Sequence, residues 1–202
     1  MSLIKIKSNA KINLSLNVLG KLNSGFHKIE SIISFIDLHD VIQIKQISSK
    51  THQVIFYGKF SKVIPKNNTV TNLLMKLDDE NLLKNKKYLV KINKKIPLKS
   101  GMGGGSMNAA SILKYFIEKK KIKIKKYKIN KIINQIGSDV ILGMKKKNSI
   151  LKGNGELYRS NVKLNLHLLI IKPNFGCSTA KIYKGIKSFS KKNNYNVKFI
   201  NK

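Results

Sequence analysis

PLKSGMGGGSMNAA, residues 97–110, places four glycines within five positions directly before a serine and a helix-forming run. Glycine reaches positive φ without a Cβ penalty and lets backbone come close to a ligand. The unpaired N–H groups at the start of a following helix point partial positive charge at whatever sits there, and phosphate is the natural occupant. Ser106 is expected as the N-cap, with Ala109, Ala110, Ile112, Leu113, Phe116 and Ile117 recurring at helical spacing on a buried face. Upstream, the alternation in Tyr88–Ile92 reads as a strand. Glycine clusters also make linkers and ordinary turns, but the strand, loop and helix order is the context a phosphate loop requires. The segment lacks the closing G-K-S or G-K-T of a Walker A loop and opens with no G-x-G-x-x-G, which sets aside both common nucleotide fingerprints.

Outward from the loop, residues 3–7 and 12–18 alternate as strands, with Ile12, Leu14, Leu16 and Val18 on one face. A turn is expected over Gly20–Gly25, a strand over Lys28–Ile36, a turn at Asp37–Asp40, and strands at Val41–Ile47 and Gln53–Tyr57. Asn68–Leu83 reads as a helix with Val70, Leu73, Leu74 and Leu77 on one side. After the loop and its helix come a helix near Lys126–Ile136, the segment Gly137–Gly143, strands near Ser149–Lys152 and Leu166–Ile171, and a short helix at Ser178–Ile186. The lysine-rich run 119–131 reads as a solvated face with Ile122, Ile124 and Ile129 supplying its buried side, and 187–202 as a weakly patterned polar tail. Strands gathered early and helices interleaved later predict an α+β fold, one mixed sheet covered by helices.

A chain of 202 residues with 42% hydrophobic content can bury one good core and part of a second. No apolar run approaches the ~20 residues of a bilayer span, and the N-terminus carries no secretory pattern, so the expected compartment is the cytoplasm with no membrane partner. The single Cys177 cannot form an internal disulfide, and the four histidines lack zinc-ligand spacing. The net charge of +32 invites a nucleic-acid reading. Against it, Arg159 is the only arginine, tryptophan is absent, and the lysines are spread through the whole chain. A positive field of this kind also speeds capture of small polyanionic substrates.

Two side chains stand out beside the loop. Asp139, in G-S-D-V, enters an apolar run in a chain with only nine acids. It reads either as a helix N-cap or Asx-turn, or as a general base for a hydroxyl nucleophile. Lys11, at the start of a strand with Asn13 two residues on, is either one more solvated lysine or a charge neutraliser at a phosphate-transfer centre. Loop, lysine and aspartate together would make a phosphoryl-transfer site, where positioning and electrostatics carry the catalysis.

SNAKINLSL at Ser8–Leu16, GFH at Gly25–His27, the loop at Pro97–Ala110 and GSDV at Gly137–Val140 resemble, in order and spacing, the 4-diphosphocytidyl-2-C-methyl-D-erythritol kinase family of the GHMP superfamily. That superfamily is named for galactokinase, homoserine kinase, mevalonate kinase and phosphomevalonate kinase. The resemblance covers roughly residues 5–187. It implies a GHMP amino-terminal ATP-binding domain at 1–160, a fold also found in ribosomal proteins, and the start of a truncated carboxy-terminal domain at 161–202. It implies an ATP-dependent kinase acting on the 2-hydroxyl of the cytidylylated methylerythritol in non-mevalonate isoprenoid synthesis, with Asp139 taking the hydroxyl proton and Lys11 supporting it. The ATP-binding residues implied are Pro97, Lys99, Ser100, Gly101, Met102, Gly103, Gly104, Gly105, Ser106 and Asn108, with Mg2+ accompanying ATP and Ser106 its nearest protein hydroxyl. Asn13, Phe26, His27 and Tyr183 match substrate-binding positions. Position 26 is usually tyrosine in this family, so Phe26 keeps the stacking face and loses a hydroxyl worth ~0.5–1.5 kcal/mol where bonded. Nothing like the relatives' second glycine-rich loop follows Cys177. A fragment, a truncated product and a reduced protein that completes itself as a homodimer all stay open, and self-association is expected from an uncovered apolar face. The alternatives are another GHMP small-molecule kinase, of homoserine or mevalonate type, and a basic non-enzymatic nucleic-acid-binding module, whose binding would weaken steeply with salt.

Overall fold

The structure is a computed structural model that describes residues 3–23, 27–160, 164–173 and 179–192. Its elements run β1 (Ile4–Lys21), β2 (His27–Ile47), β3 (Gln53–Tyr57), α1 (Thr69–Asp79), β4 (Lys87–Asn93), α2 (Gly104–Glu118), α3 (Lys126–Ile136), α4 (Val140–Gly143), β5 (Ser149–Leu151), β6 (Leu157–Arg159) and α5 (Thr179–Lys184). The chain forms two compact units, and β2 contributes to both. The first comprises Met1–Ala10, Asp37–Leu98 and Gly103–Lys145, the second Lys11–Ile36, Lys99–Met102 and Lys146–Lys202.

In the first unit β4 lies between two partners, pairing antiparallel with the end of β2 (Ile42 opposite Ile92, Ile44 opposite Val90) and parallel with β3 (Val54 opposite Val90). A parallel pair needs a long crossover, and α1 supplies it. The period-two pattern puts Ile42, Ile44, Tyr88, Val90 and Ile92 on one face, each at most 2% exposed. The 3.6-residue pattern of the helices brings Leu73, Leu74 and Leu77 of α1, Ile112, Leu113 and Phe116 of α2, and Ile132 and Ile133 of α3 into the same cluster. Each such burial is worth ~1.5–3 kcal/mol before entropy is counted. Asn68 caps α1 with a complete capping box: its side chain accepts the Val70 and Thr71 N–H groups while the Thr71 hydroxyl accepts its own.

In the second unit the start of β2 pairs antiparallel with β5 (Ile32 opposite Ile150), β5 pairs antiparallel with β6, and β1 pairs with β2. Ile33, Met102 and Ile150 are the buried apolar residues among those described in this unit.

The α+β class with a mixed sheet covered by helices is what the sequence predicts, and the helix over Lys126–Ile136 appears as expected. Several local expectations are corrected. The two strands at 3–7 and 12–18 are one continuous β1, and Leu14 and Leu16 are exposed, not part of a buried face. The turn at Asp37–Asp40 is absent because β2 runs straight through it, and Asp40 is fully buried. Its charge, which suggested a turn, is paired inside. The helix over Asn68–Leu83 stops at Asp79, followed by Asn81 at φ 51°, although Leu83 is still buried. Residues 166–171 are not a strand. No other described segment pairs with them, and Leu169 and Ile171 are more than four-fifths exposed. The strand β6 is one the sequence reading lacks. Phe26 and Cys177 lie outside the described residues, as does 193–202 of the expected tail.

Candidate functional site

The loop after Pro97 carries left-handed backbone at alternate positions, Lys99 at φ 53°, Gly101 at φ 72° and Gly103 at φ 67°. Alternation of this kind turns successive N–H groups toward one side, the geometry of an anion-binding nest. Lys99, Ser100, Gly101 and Gly105 are exposed, while Pro97 and Met102 are buried and pin the chain. Gly103 is the N-cap of α2, so the helix begins at Gly104 and Ser106 is its third residue, a correction to the expected Ser106 cap. The reason is that left-handed Gly103 brings the chain into the helix earlier than a serine cap would. No side chain caps α2, whereas α1 spends Asn68 on its first amides. The N-terminal amides of α2 therefore retain their donor capacity for a ligand.

Ser106 is half-buried, and its hydroxyl lies 3.6 Å from where a Cβ on Gly137 would stand, so the start of α2 meets the turn that carries Asp139. Asp139 occupies the N-cap position of α4, yet its side chain makes no capping hydrogen bond there. Asn108 is turned inward: its amide donates to Asp40 Oδ2 at 3.0 Å, and the residue is 1% exposed.

In the second unit Lys11 is 7% exposed. It and Lys94 are the two buried lysines among the described residues of a chain that otherwise keeps its many lysines wet. The Lys11 backbone N–H donates to Met102 O at 3.1 Å, tying β1 to the loop segment. Its ammonium donates to Asn13 Oδ1 at 2.8 Å, and the Asn13 amide donates to Ser31 Oγ at 2.6 Å. Ser31 in turn donates to Ser15 O at 2.7 Å. Lysine and asparagine are thus held as one network across β1 and β2, the pair that the sequence singled out. His27 stacks on Tyr183 with ring centroids 4.7 Å apart and planes 19° from parallel, so two of the four expected substrate-binding side chains share one place.

The sequence reading passed over Asp40 and Lys94, which pair in the interior of the first unit. The signal available was the position of an aspartate between Leu38 and Val41 in an otherwise strand-forming run. Among the described residues no cluster of three or more His, Cys, Asp or Glu could hold a metal ion, and no helix is long and apolar enough to cross a membrane.

Residues 68–146 match the family described as GHMP kinases N terminal domain. Over 191 residues the chain is 58% identical to a 4-diphosphocytidyl-2-C-methyl-D-erythritol kinase of Pelagibacter ubique, covering 95% of this chain and 68% of that protein. It is 33% identical over 201 residues to the same-named kinase of Clostridioides difficile, covering 92% and 63%. The chain thus spans about two thirds of the length of the curated relatives it matches. Among solved structures, a 4-(cytidine 5'-diphospho)-2C-methyl-D-erythritol kinase superposes with a TM-score of 0.72 at 21% identity, covering 94% of this chain and 67% of that one. A homoserine kinase from Cytophaga hutchinsonii gives a TM-score of 0.62 at 16% identity, covering 94% and 62%, which speaks for the shared fold.

Proposed function

Because the chain belongs to the 4-diphosphocytidyl-2-C-methyl-D-erythritol kinase family, within the GHMP kinases, we propose that it takes part in transferring the γ-phosphoryl group of ATP to the 2-hydroxyl of that cytidylylated sugar alcohol. The observation that carries the reading is the uncapped N-terminus of α2 behind a loop of alternating left-handed residues, a backbone cradle for a triphosphate. Within this reading, Lys99–Gly105 surround the phosphates with backbone donors. Asp139 accepts the proton of the acceptor hydroxyl as its oxygen attacks phosphorus and the bond to ADP breaks. Lys11, held by Asn13, offsets the charge that develops on the transferred group. Asn13, His27 and Tyr183 serve the cytidylylated substrate, and His27 and Tyr183 part to admit its base.

Mg2+ fits the donor chemistry. The cation prefers oxygen ligands and keeps phosphates and waters around it, so one serine hydroxyl can suffice from the protein. Ser106 would hold it, and its charge would offset that of the phosphates. We assign residues 1–160 as the ATP-binding domain and 161–202 as the beginning of a second domain, place the chain in the cytoplasm, and expect self-association as a homodimer.

The test is Asp139→Asn. A general base contributes ~10²–10⁴ in rate, so turnover with ATP and the cytidylylated acceptor should fall by that factor while ATP still binds. Turnover of the substituted chain within about threefold of the parent would refute the assignment, because a loss that small is far below what a base supplies.

A further inference from the structure

At the foot of α2 lies a buried charge pair that phosphoryl transfer as described above leaves unused. Asp40 is fully buried, Lys94 is 2% exposed and Asn108 is 1% exposed. Asp40 Oδ1 accepts the backbone N–H groups of Lys95 at 2.8 Å and Ile96 at 2.9 Å. Its other oxygen accepts the Lys94 ammonium and, at 3.0 Å, the Asn108 amide. One carboxylate thus receives four donors, two from the backbone immediately before Pro97 and one from the second turn of α2.

The ammonium it holds has a second neighbour. A Cβ on Gly104 would come 3.3 Å from Lys94 Nζ and 3.2 Å from Ile96 Cγ2. Lys94 therefore occupies the space that a side chain on the first residue of α2 would fill, and glycine at 104 lets the helix rest directly on it. Loop 97–103 begins just after the backbone that Asp40 grips and runs into Gly104, the residue that Lys94 supports.

A buried ion pair is weak evidence for stability, since apolar residues of similar volume often do as well. A carboxylate with four donors in fixed directions specifies geometry instead. A phosphate cradle needs that, because ordering the loop on binding would subtract from affinity. We propose that Asp40 is a positioning residue for the nucleotide, fixing both ends of the glycine loop through Lys94 and the Lys95 and Ile96 amides; this rests on the reading of the loop as an ATP site.

The experiment is calorimetric titration of the full chain with Mg·ATP. Asp40→Asn keeps the shape and one oxygen but turns an amide nitrogen toward two donors. Loss of such a supporting contact should raise the dissociation constant about ten- to hundredfold, as for outer-shell partners of bound ions. A purely electrostatic role predicts the reverse sign: deleting a negative charge near the cradle would tighten triphosphate binding. The double variant Asp40→Asn, Lys94→Met lies outside the loop, leaves the net charge unchanged and spares the buried site an unpaired ion; it should weaken ATP about tenfold by withdrawing the support under Gly104. It decides the matter alone if Asp40→Asn does not fold. The KM for ATP should rise in both variants while that for the acceptor stays put. Folded variants that bind ATP as tightly as the parent, or an Asp40→Asn chain that binds more tightly, overturn the proposal and leave the ATP reading standing. A parent chain that takes up no ATP sinks both.

Discussion

Replacing Gly143 by alanine should damage catalysis more than stability. Gly143 ends α4, the four-residue helix whose N-cap is Asp139. A Cβ there would stand 2.6 Å from Ala110 Cβ, 3.1 Å from Met107 Sδ and 3.4 Å from Met107 Cε. The methionine is flexible and can yield. Ala110 cannot, because it sits fully buried in the middle of α2 beside Ala109 and Ile112. Carbon atoms rest at ~3.5–4.0 Å, so about 1 Å of separation must be found. The short α4 will supply it, being held by less than α2. Overpacking costs ~1–3 kcal/mol, and alanine returns ~1 kcal/mol over glycine in a helix, leaving a net loss of ~0–2 kcal/mol. Asp139 moves with α4, and on the role proposed for it as general base a misplacement of about 1 Å costs on the order of 10²-fold in rate. Steady-state kinetics beside thermal melts would separate the two effects. The double variant Gly143→Ala, Ala110→Gly removes the collision and should recover most of kcat, although the glycine costs ~1 kcal/mol of stability. If the single variant turns over like the parent, or the second substitution recovers nothing, then packing of α4 on α2 does not set the position of Asp139.

The fold was legible because its signals are local, and the loop that the proposed site is built on was legible for the same reason. Tyr88–Ile92 alternates, Lys126–Ile136 forms the helix its sequence suggests, and the glycine cluster announces left-handed backbone, which Gly101 and Gly103 adopt. What escaped depends on partners distant in sequence. Asp40 looked like a turn former because acid in a strand is costly, and only the donors from Lys94, Lys95, Ile96 and Asn108 make it acceptable. Lys94 was invisible for a different reason: in a chain rich in lysine, composition cannot single out a buried one. Lys11 escaped that fate through its neighbours in SNAKINLSL, a matter of resemblance more than of charge. Ser106 was misplaced as the cap by two rules in conflict, side-chain capping against left-handed glycine, and the glycine won. The apolar run at 166–171 failed as a strand because apolar composition states that a segment could be buried, not whether anything covers it.

Two further outcomes concern the first unit. Asn68→Ala removes the side-chain half of the capping box on α1, the acceptor for the Val70 and Thr71 N–H groups, while residue 68 keeps its own N–H for the Thr71 hydroxyl; the change should cost ~1 kcal/mol in denaturant unfolding with an unchanged m-value, and a loss below about 0.3 kcal/mol would mean the cap is redundant. His52 supplies a pH dependence whose sign follows from its surroundings. Its Nδ1 accepts the Tyr88 N–H at 3.0 Å, which leaves Nε2 to donate to Asp78 at 3.1 Å, so the ring is held neutral. Burial, with the Lys87 charge adding to it against the pull of Asp78, lowers its pKa below the ordinary 6.5. The unfolded chain then binds the extra proton first. Stability is therefore complete above about pH 6.5 and declines as pH falls through that value toward the folded pKa, because protonation also breaks the bond to Tyr88. Melting curves between about pH 8 and 5 should show this decline, and His52→Gln, which can still accept from Tyr88 and donate to Asp78, should remove the part of the slope that the parent owes to this ring. Parallel profiles for the two chains would mean that other groups carry the whole dependence and that the imidazole titrates alike in the folded and unfolded states.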